Sequence, residues 1–309
     1  MVKASIINWY GGKHYLLKHI LPLIPEHEIY VEVFGGAGHL LFAKPPAQVN
    51  VYNDIDSNLV NFFRVLRDPE KAKRLQELLY LTPYSREEFE FCREHLNDPG
   101  VDDVECARRF FVAVRQSFNS KYKTWGYILS NRTSGYRPRQ FFNYVDRIPE
   151  FTEKLRHIQV EHGDFEQVMR RYDTPRTFFY CDPPYVTETL KTPQPYKTMR
   201  LGDHMRLVKV LLSIRGKAML SGYDHEVYRP LEESGWLKIK LERHLFATNA
   251  RMNLRGLRAH QNEYLWLNYE PPKHEKKPQT QANSQPKLTE YFKIDPDNQP
   301  SLYINIQTT

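Results

Sequence analysis

Cysteine is scarce in this chain of 309 residues: Cys92, Cys106 and Cys181 stand apart and are odd in number. Such a set builds no disulfide framework and points to a reducing compartment. Neither C-x-x-C nor H-E-x-x-H spacing occurs, which removes common zinc arrangements and predicts no metal site. No apolar run is long enough to span a membrane. The opening MVKASIINWYGGKHYLL has no apolar core of the kind a signal peptide carries, so a cytoplasmic protein is expected. Hydrophobic content of 40% and charged content of 26% describe a soluble globular protein with ample core for one large domain or two smaller ones.

The net charge of +7 is unevenly spread. Residues 108–156 hold eleven Lys or Arg against three acids, which leaves the rest of the chain close to neutral. A localised basic region interleaved with aromatics is what phosphate binding needs, although solvated basic surfaces are also common.

Residues 29–43, IYVEVFGGAGHLLFA, read as a strand, a glycine turn and a helix, which frees backbone N–H groups for a closely approaching ligand. Residues 48–56, QVNVYNDID, read as a second strand ending in Asp54, a position where an acid commonly accepts from a ribose diol. Gly35-Gly36-Ala37-Gly38 lacks the G-x-G-x-x-G spacing, so an adenosyl ligand other than a dinucleotide is expected. Apolar spacing predicts helix from Ser57 to about Leu96 and over Val104–Phe118. Residues 119–143 read as basic, aromatic loop with a hairpin around Asn131–Gly135. A strand ending at Asp164 follows, then a helix over 202–214 with Asp203 as a cap, then late strands in GKAMLSGY, WLKIKLERHLFA and NEYLWLNY. The whole reads as an α/β sheet with a basic insertion between its second and third strands.

The sharpest feature is TFFYCDPPYV, residues 177–186. Its first five residues have the composition of a buried strand, and two prolines end it because neither can continue the hydrogen-bond ladder. Pro183 and Pro184 expose carbonyls and no N–H groups. Asp182 adds a carboxylate and Tyr185 a flat ring. This acceptor-only site suits a planar ligand with an exocyclic amine, such as a nucleobase; a strand followed by a rigid turn is the plainer alternative.

With these segments in order, the sequence resembles the Dam-type (D12 class) N6-adenine DNA methyltransferases over roughly residues 5–270. The resemblance rests on NWYGGKHYL (8–16), VFGGAGHL (33–40), HGDF (162–165) and DPPY (182–185). It implies S-adenosylmethionine as cofactor and double-stranded DNA as partner. It also implies a Rossmann-like sheet with an inserted, mainly helical recognition domain. The corresponding division is 1–58 and 157–270 for catalysis, 59–156 for DNA recognition and 271–309 for a flexible tail. By resemblance, Trp9, Lys13, Phe34, Gly36, Gly38, Asp54, Asp164 and Asp182 bind the cofactor. Asp182, Pro183, Pro184 and Tyr185 receive a flipped-out adenine, with Asp182 and the Pro183 carbonyl accepting from its amine and Tyr185 stacking on the base. Asp at the first motif position favours adenine over cytosine. Lys121, Lys123, Arg132, Arg137 and Arg139 are the candidate DNA contacts. Phe118-Asn119 is followed by SKYKTWGY rather than the Phe-Gly segment of GATC-specific members, so GATC specificity does not carry over.

From Pro271 the chain is rich in Pro, Lys and Gln, as a linker is. Gln285, Leu288, Tyr291 and Phe292 then form Q-x-x-L-x-x-aromatic-aromatic, which resembles the peptide that binds the PCNA sliding clamp of archaea and eukaryotes. That pattern implies a host, or a virus of a host, with such a clamp; a tail docking on its own domain is the alternative. Against an enzyme stands a non-catalytic, clamp-associated DNA-binding protein that keeps the fold. Intact DPPY, Asp54 and Lys13 argue for the enzyme.

Overall fold

Strands form where β-branched and aromatic residues cluster, and their side chains alternate between two apolar layers. The computed structural model describes residues 5–7, 9, 13, 16–118, 122–127, 137–186, 199–241 and 262–272. These all belong to one compact unit, Met1–Pro272. Lys121, Arg132, the hairpin expected around 131–135 and the clamp-like motif at 285–292 lie outside the described residues.

Among the described residues, seven strands form one sheet: β1 (Ile29–Glu32), β2 (Val49–Asn53), β3 (Ile158–Glu161), β4 (Thr177–Cys181), β5 (Lys217–Tyr223), β6 (Leu237–Leu241) and β7 (Glu263–Leu267). Their order is β3-β2-β1-β4-β5-β7-β6. The first five are parallel, and β7 runs antiparallel to both β5 and β6. This is a mixed α/β architecture consistent with a Rossmann-like methyltransferase sheet. Tyr30, Tyr52, Phe178, Tyr180 and Met219 face one core, while Val31, Val51, Phe179, Cys181 and Leu220 face the other.

Helices α1 (Leu17–Ile20) and α2 (His39–Ala43) flank β1, and the first core is covered by α3 (Ser57–Arg67), α4 (Pro69–Tyr80), α6 (Asp103–Arg115), α7 (Arg137–Val145) and α8 (Ile148–Leu155), these five lying between β2 and β3. The second is covered by α9 (Phe165–Tyr172), α10 (Leu201–Ser213) and α11 (Arg229–Glu233). The long helical stretch expected from Ser57 divides into three. Asp68 caps α4 by accepting from the Glu70 and Lys71 amides, with Pro69 in the first turn, so α3 ends there. Pro83 then breaks the chain before Ser85 caps α5 (Arg86–Glu94). The expected helix over 104–118 is α6, capped by Asp102.

Two local readings are corrected. Arg137–Val145, read partly as loop, is helix α7. Pro138 sits in its first turn, where a missing N–H costs nothing, and Phe141, Tyr144 and Val145 bury one face. Asp203 is not the N-cap of α10: Arg200 is, and Asp203 reaches back three residues to accept from its amide at 3.1 Å.

Candidate active site at the strand ends

The chain leaves β1 toward β2 on one side and leaves β4 toward β5 on the other. Loops at the carboxyl ends of β1 and β4 therefore diverge and open a crevice. The Val33 amide donates to Tyr180 O at 3.0 Å just before both chains part. One lip of the crevice is the glycine turn and the other is Asp182-Pro183-Pro184-Tyr185.

The turn depends on glycine. Gly36 and Gly38 have φ of +49° and +65°, where side chains are strained. A Cβ on Gly36 would meet Trp9 Cδ1 at 2.9 Å, so the indole lies directly on this backbone. Trp9 in turn packs against Phe110 and Tyr122. Asp54, just past β2, accepts from the Gly36 amide at 2.8 Å and from the Asp56 amide at 2.9 Å. Asn53 fastens the neighbouring strand ends: its amide donates to Val33 O at 2.9 Å and Gly163 O at 3.2 Å, and its Oδ1 accepts from Gly163 N at 3.0 Å. Burial raises the Asp54 carboxyl to about 6, with its backbone donors opposing, and no cation among the described residues offsets that burial. A carboxylate in that position calls for neutral donors, and the hydroxyls of a ribose supply them. The glycine turn, Trp9 and Asp54 therefore fit an adenosyl ligand.

Asp164 is placed differently. Its Oδ1 caps α9 by accepting from the Glu166 amide at 3.0 Å, and its Oδ2 pairs with Arg206 at 2.7 Å. Arg206 also lies over the Phe165 ring, which packs against Phe34.

Lys13 sits against the DPPY segment. Its Nζ is 2.9 Å from Asp182 Oδ1, contacts the Tyr185 hydroxyl oxygen, and is 3.8 Å from Glu263 Oε2. The ammonium also lies 4.6 Å from the Tyr185 ring centroid, and Tyr223 packs on that ring at 4.4 Å. Ser221 donates to the same Asp182 oxygen at 3.0 Å. Among the described residues, Oδ1 of Asp182 thus takes both donors and Oδ2 takes none. Burial pushes the Asp182 carboxyl up, with Lys13 pulling it down. Burial works against the Lys13 charge too, but Asp182, Tyr185 and Glu263 outweigh it and hold the ammonium well above its ordinary range. Burial likewise keeps the Tyr185 hydroxyl protonated.

Of the expected DNA contacts, Lys123 is exposed with its carbonyl held by Arg93, and Arg139 is exposed. Arg137 is half-buried, its guanidinium packed over Gly126. Asn53, Ser221, Tyr223 and Glu263 belong to the site but carried no motif; the strand-final position of Asn53 beside Asp54 was the available signal. Among the described residues, no group of three His, Cys, Asp or Glu could hold a metal, and no helix is long and apolar enough to cross a membrane.

This crevice belongs to a recognised class of proteins. The D12 class N6 adenine-specific DNA methyltransferase family matches residues 9–258, from Trp9 through β6, and the chain belongs to that family. Enzymes of this family take their methyl group from S-adenosylmethionine. The chain is 32% identical over 187 residues to the type II methyltransferase M1.LlaDCHI of Lactococcus lactis subsp. cremoris, covering 58% of this chain and 64% of that protein. It is 28% identical over 186 residues to the DNA N-6-adenine-methyltransferase of Escherichia phage P1, covering 59% of this chain and 24% of that one. To the DNA adenine methylase of Salmonella typhi it is 26% identical over 277 residues, covering 86% and 95%. The chain therefore spans less than two thirds of the first two relatives and nearly all of the third.

The raised Asp54 carboxyl has a consequence for stability. The folded protein holds this proton more tightly than the unfolded chain, so the stabilisation is complete below about 4 and is lost as pH rises through about 6. Asp54→Asn removes that dependence. Its loss of stability between pH 4 and 6.5, measured by urea unfolding, should be smaller than the parent's by on the order of 1–3 kcal/mol. Parallel pH profiles for the two proteins would contradict it.

Proposed function

We propose that this chain transfers a methyl group from S-adenosylmethionine to N6 of an adenine flipped out of duplex DNA. The observation that carries this reading is the geometry of Asp182: one carboxylate oxygen is held by Lys13 and Ser221, and the other takes no donor from the described residues. An amine with two N–H groups would donate to that second oxygen and to the Pro183 carbonyl. The lone pair of an exocyclic adenine amine is delocalised into the ring. Accepting hydrogen bonds from both N–H groups favours a pyramidal nitrogen with a localised lone pair, so the acceleration comes from positioning and electrostatics. Tyr185, fixed by Lys13 and Tyr223, supports the base. Trp9, Gly36, Gly38 and Asp54 would hold the cofactor, which supplies a sulfonium-bound methyl group. Phe34 walls the same crevice; Asp164 would contribute after release by Arg206.

Residues 59–156 would be the DNA-recognition region, with Lys121, Lys123, Arg132, Arg137 and Arg139 meeting phosphates or bases. The tail motif Gln285, Leu288, Tyr291 and Phe292 is proposed to dock on a PCNA-type clamp, raising the concentration of enzyme at newly copied DNA. A peptide of residues 283–296 should bind purified clamp and lose binding in the Tyr291→Ala, Phe292→Ala double variant. Equal binding by both peptides, or none by either, would refute the docking.

Asp182→Ala should keep the fold and most DNA binding while losing methyl transfer by a factor of about a hundred or more, because it removes an interaction made in the transition state. Incorporation of labelled methyl from the cofactor into duplex DNA reads this directly. A folded Asp182→Ala protein working near the parent rate would remove Asp182 from the mechanism.

A further inference from the structure

Glu263 opens β7, opposite Tyr223 of β5 on one side and Leu241 of β6 on the other. Its side chain is 3% exposed, and it stands 3.8 Å from Lys13 Nζ. The ammonium therefore neighbours two carboxylates, the nearer being Asp182 at 2.9 Å. Base acceptance by Asp182 does not by itself require this second acid. A buried carboxylate is costly to maintain, so its position beside the buried Lys13 ammonium needs a reason.

We propose that Glu263 is a positioning residue that acts on Asp182 through Lys13, by competing for the ammonium and so setting how much of its charge the catalytic carboxylate receives. Without Glu263, Lys13 would belong to Asp182 alone and would hold its charge tightly, weakening it as an acceptor for the incoming amine. Without Lys13, two like charges would face each other in a desolvated site, and Asp182 would take up a proton.

The surroundings make the sign clear. Asp182 is faced by Lys13 from the N-terminal segment, Ser221 from β5, Glu263 from β7, Tyr185 from its own loop, Tyr180 and Cys181 from β4, Tyr228 from the turn before α11, and Glu32 from β1. Burial keeps the phenols and the thiol protonated and raises Glu32 to about 8. On Asp182 itself Lys13 acts to lower the carboxyl and Glu263 to raise it.

This inference rests on Asp182 being the group that must be ionised for methyl transfer. It is tested by the pH dependence of kcat for the full chain and two variants. Glu263→Gln keeps the shape and removes the charge, and its acid limb should move to lower pH. Lys13→Met should move the limb to higher pH, each by at least about half a unit. A merely structural role would lower rates without opposite shifts. Carbon-13 NMR titration of the aspartate carboxyls, with Asp182 assigned from the Asp182→Asn spectrum, reads the same shifts without turnover. A parent that methylates no adenine would defeat the functional reading, while the NMR titration would still decide this one. If Lys13→Met does not fold, the sign for Glu263→Gln decides alone. An unmoved or upward shift in Glu263→Gln would overturn the proposal.

Discussion

The contact between the Lys13 ammonium and the Asp182 carboxylate joins parts of the chain that have no local reason to meet. Lys13 belongs to the N-terminal segment and Asp182 to the end of a central strand, and both are largely withdrawn from water. Burying such a pair is not a source of much stability, because desolvation offsets most of the attraction. Its effect is geometric. The ammonium takes one oxygen of Asp182, reaches the Tyr185 hydroxyl and lies over the Tyr185 ring. One cation thus fixes both the acceptor and the aromatic face of the motif.

The sheet explains why these groups meet. At the divergence between β1 and β4, the glycine turn and the DPPY segment face each other. The turn needs left-handed backbone at Gly36 and Gly38 and leaves room for Trp9 on the same surface. Asn53 holds three strand ends together. The N-terminal segment is then positioned by both lips of the crevice: Trp9 on the turn and Lys13 on Asp182. Arg115 of α6 adds a further tie from the helical layer, donating to the Ile6 carbonyl.

Much of this was legible in the sequence where chemistry and backbone constraint coincide. TFFYC is a fully buried strand, and the two prolines after it end it as expected. The glycine turn and Asp54 fell at the ends of β1 and β2 because apolar composition marks parallel strands well. Other features depended on information the sequence does not display. Ser221 and Glu263 reach Asp182 only because β5 and β7 lie beside β4 in an order that no local pattern encodes. Lys13 lies on the DPPY segment, a contact that motif membership alone does not assign. Asp164 is a helix cap paired with Arg206, two roles its motif position did not distinguish. The helix starting at Arg137 was hidden by a basic, proline-containing start that resembles loop.

Asp182 is proposed to offer the exocyclic amine of adenine the oxygen that takes no donor among the described residues. The most direct measurement is the chemical identity of the product. Duplex DNA is incubated with the full chain and methyl-labelled S-adenosylmethionine, digested to nucleosides and resolved by mass spectrometry. The account predicts that the label is recovered as N6-methyldeoxyadenosine. Label on cytosine, or none on DNA while the folded protein binds both cofactor and duplex, would contradict it.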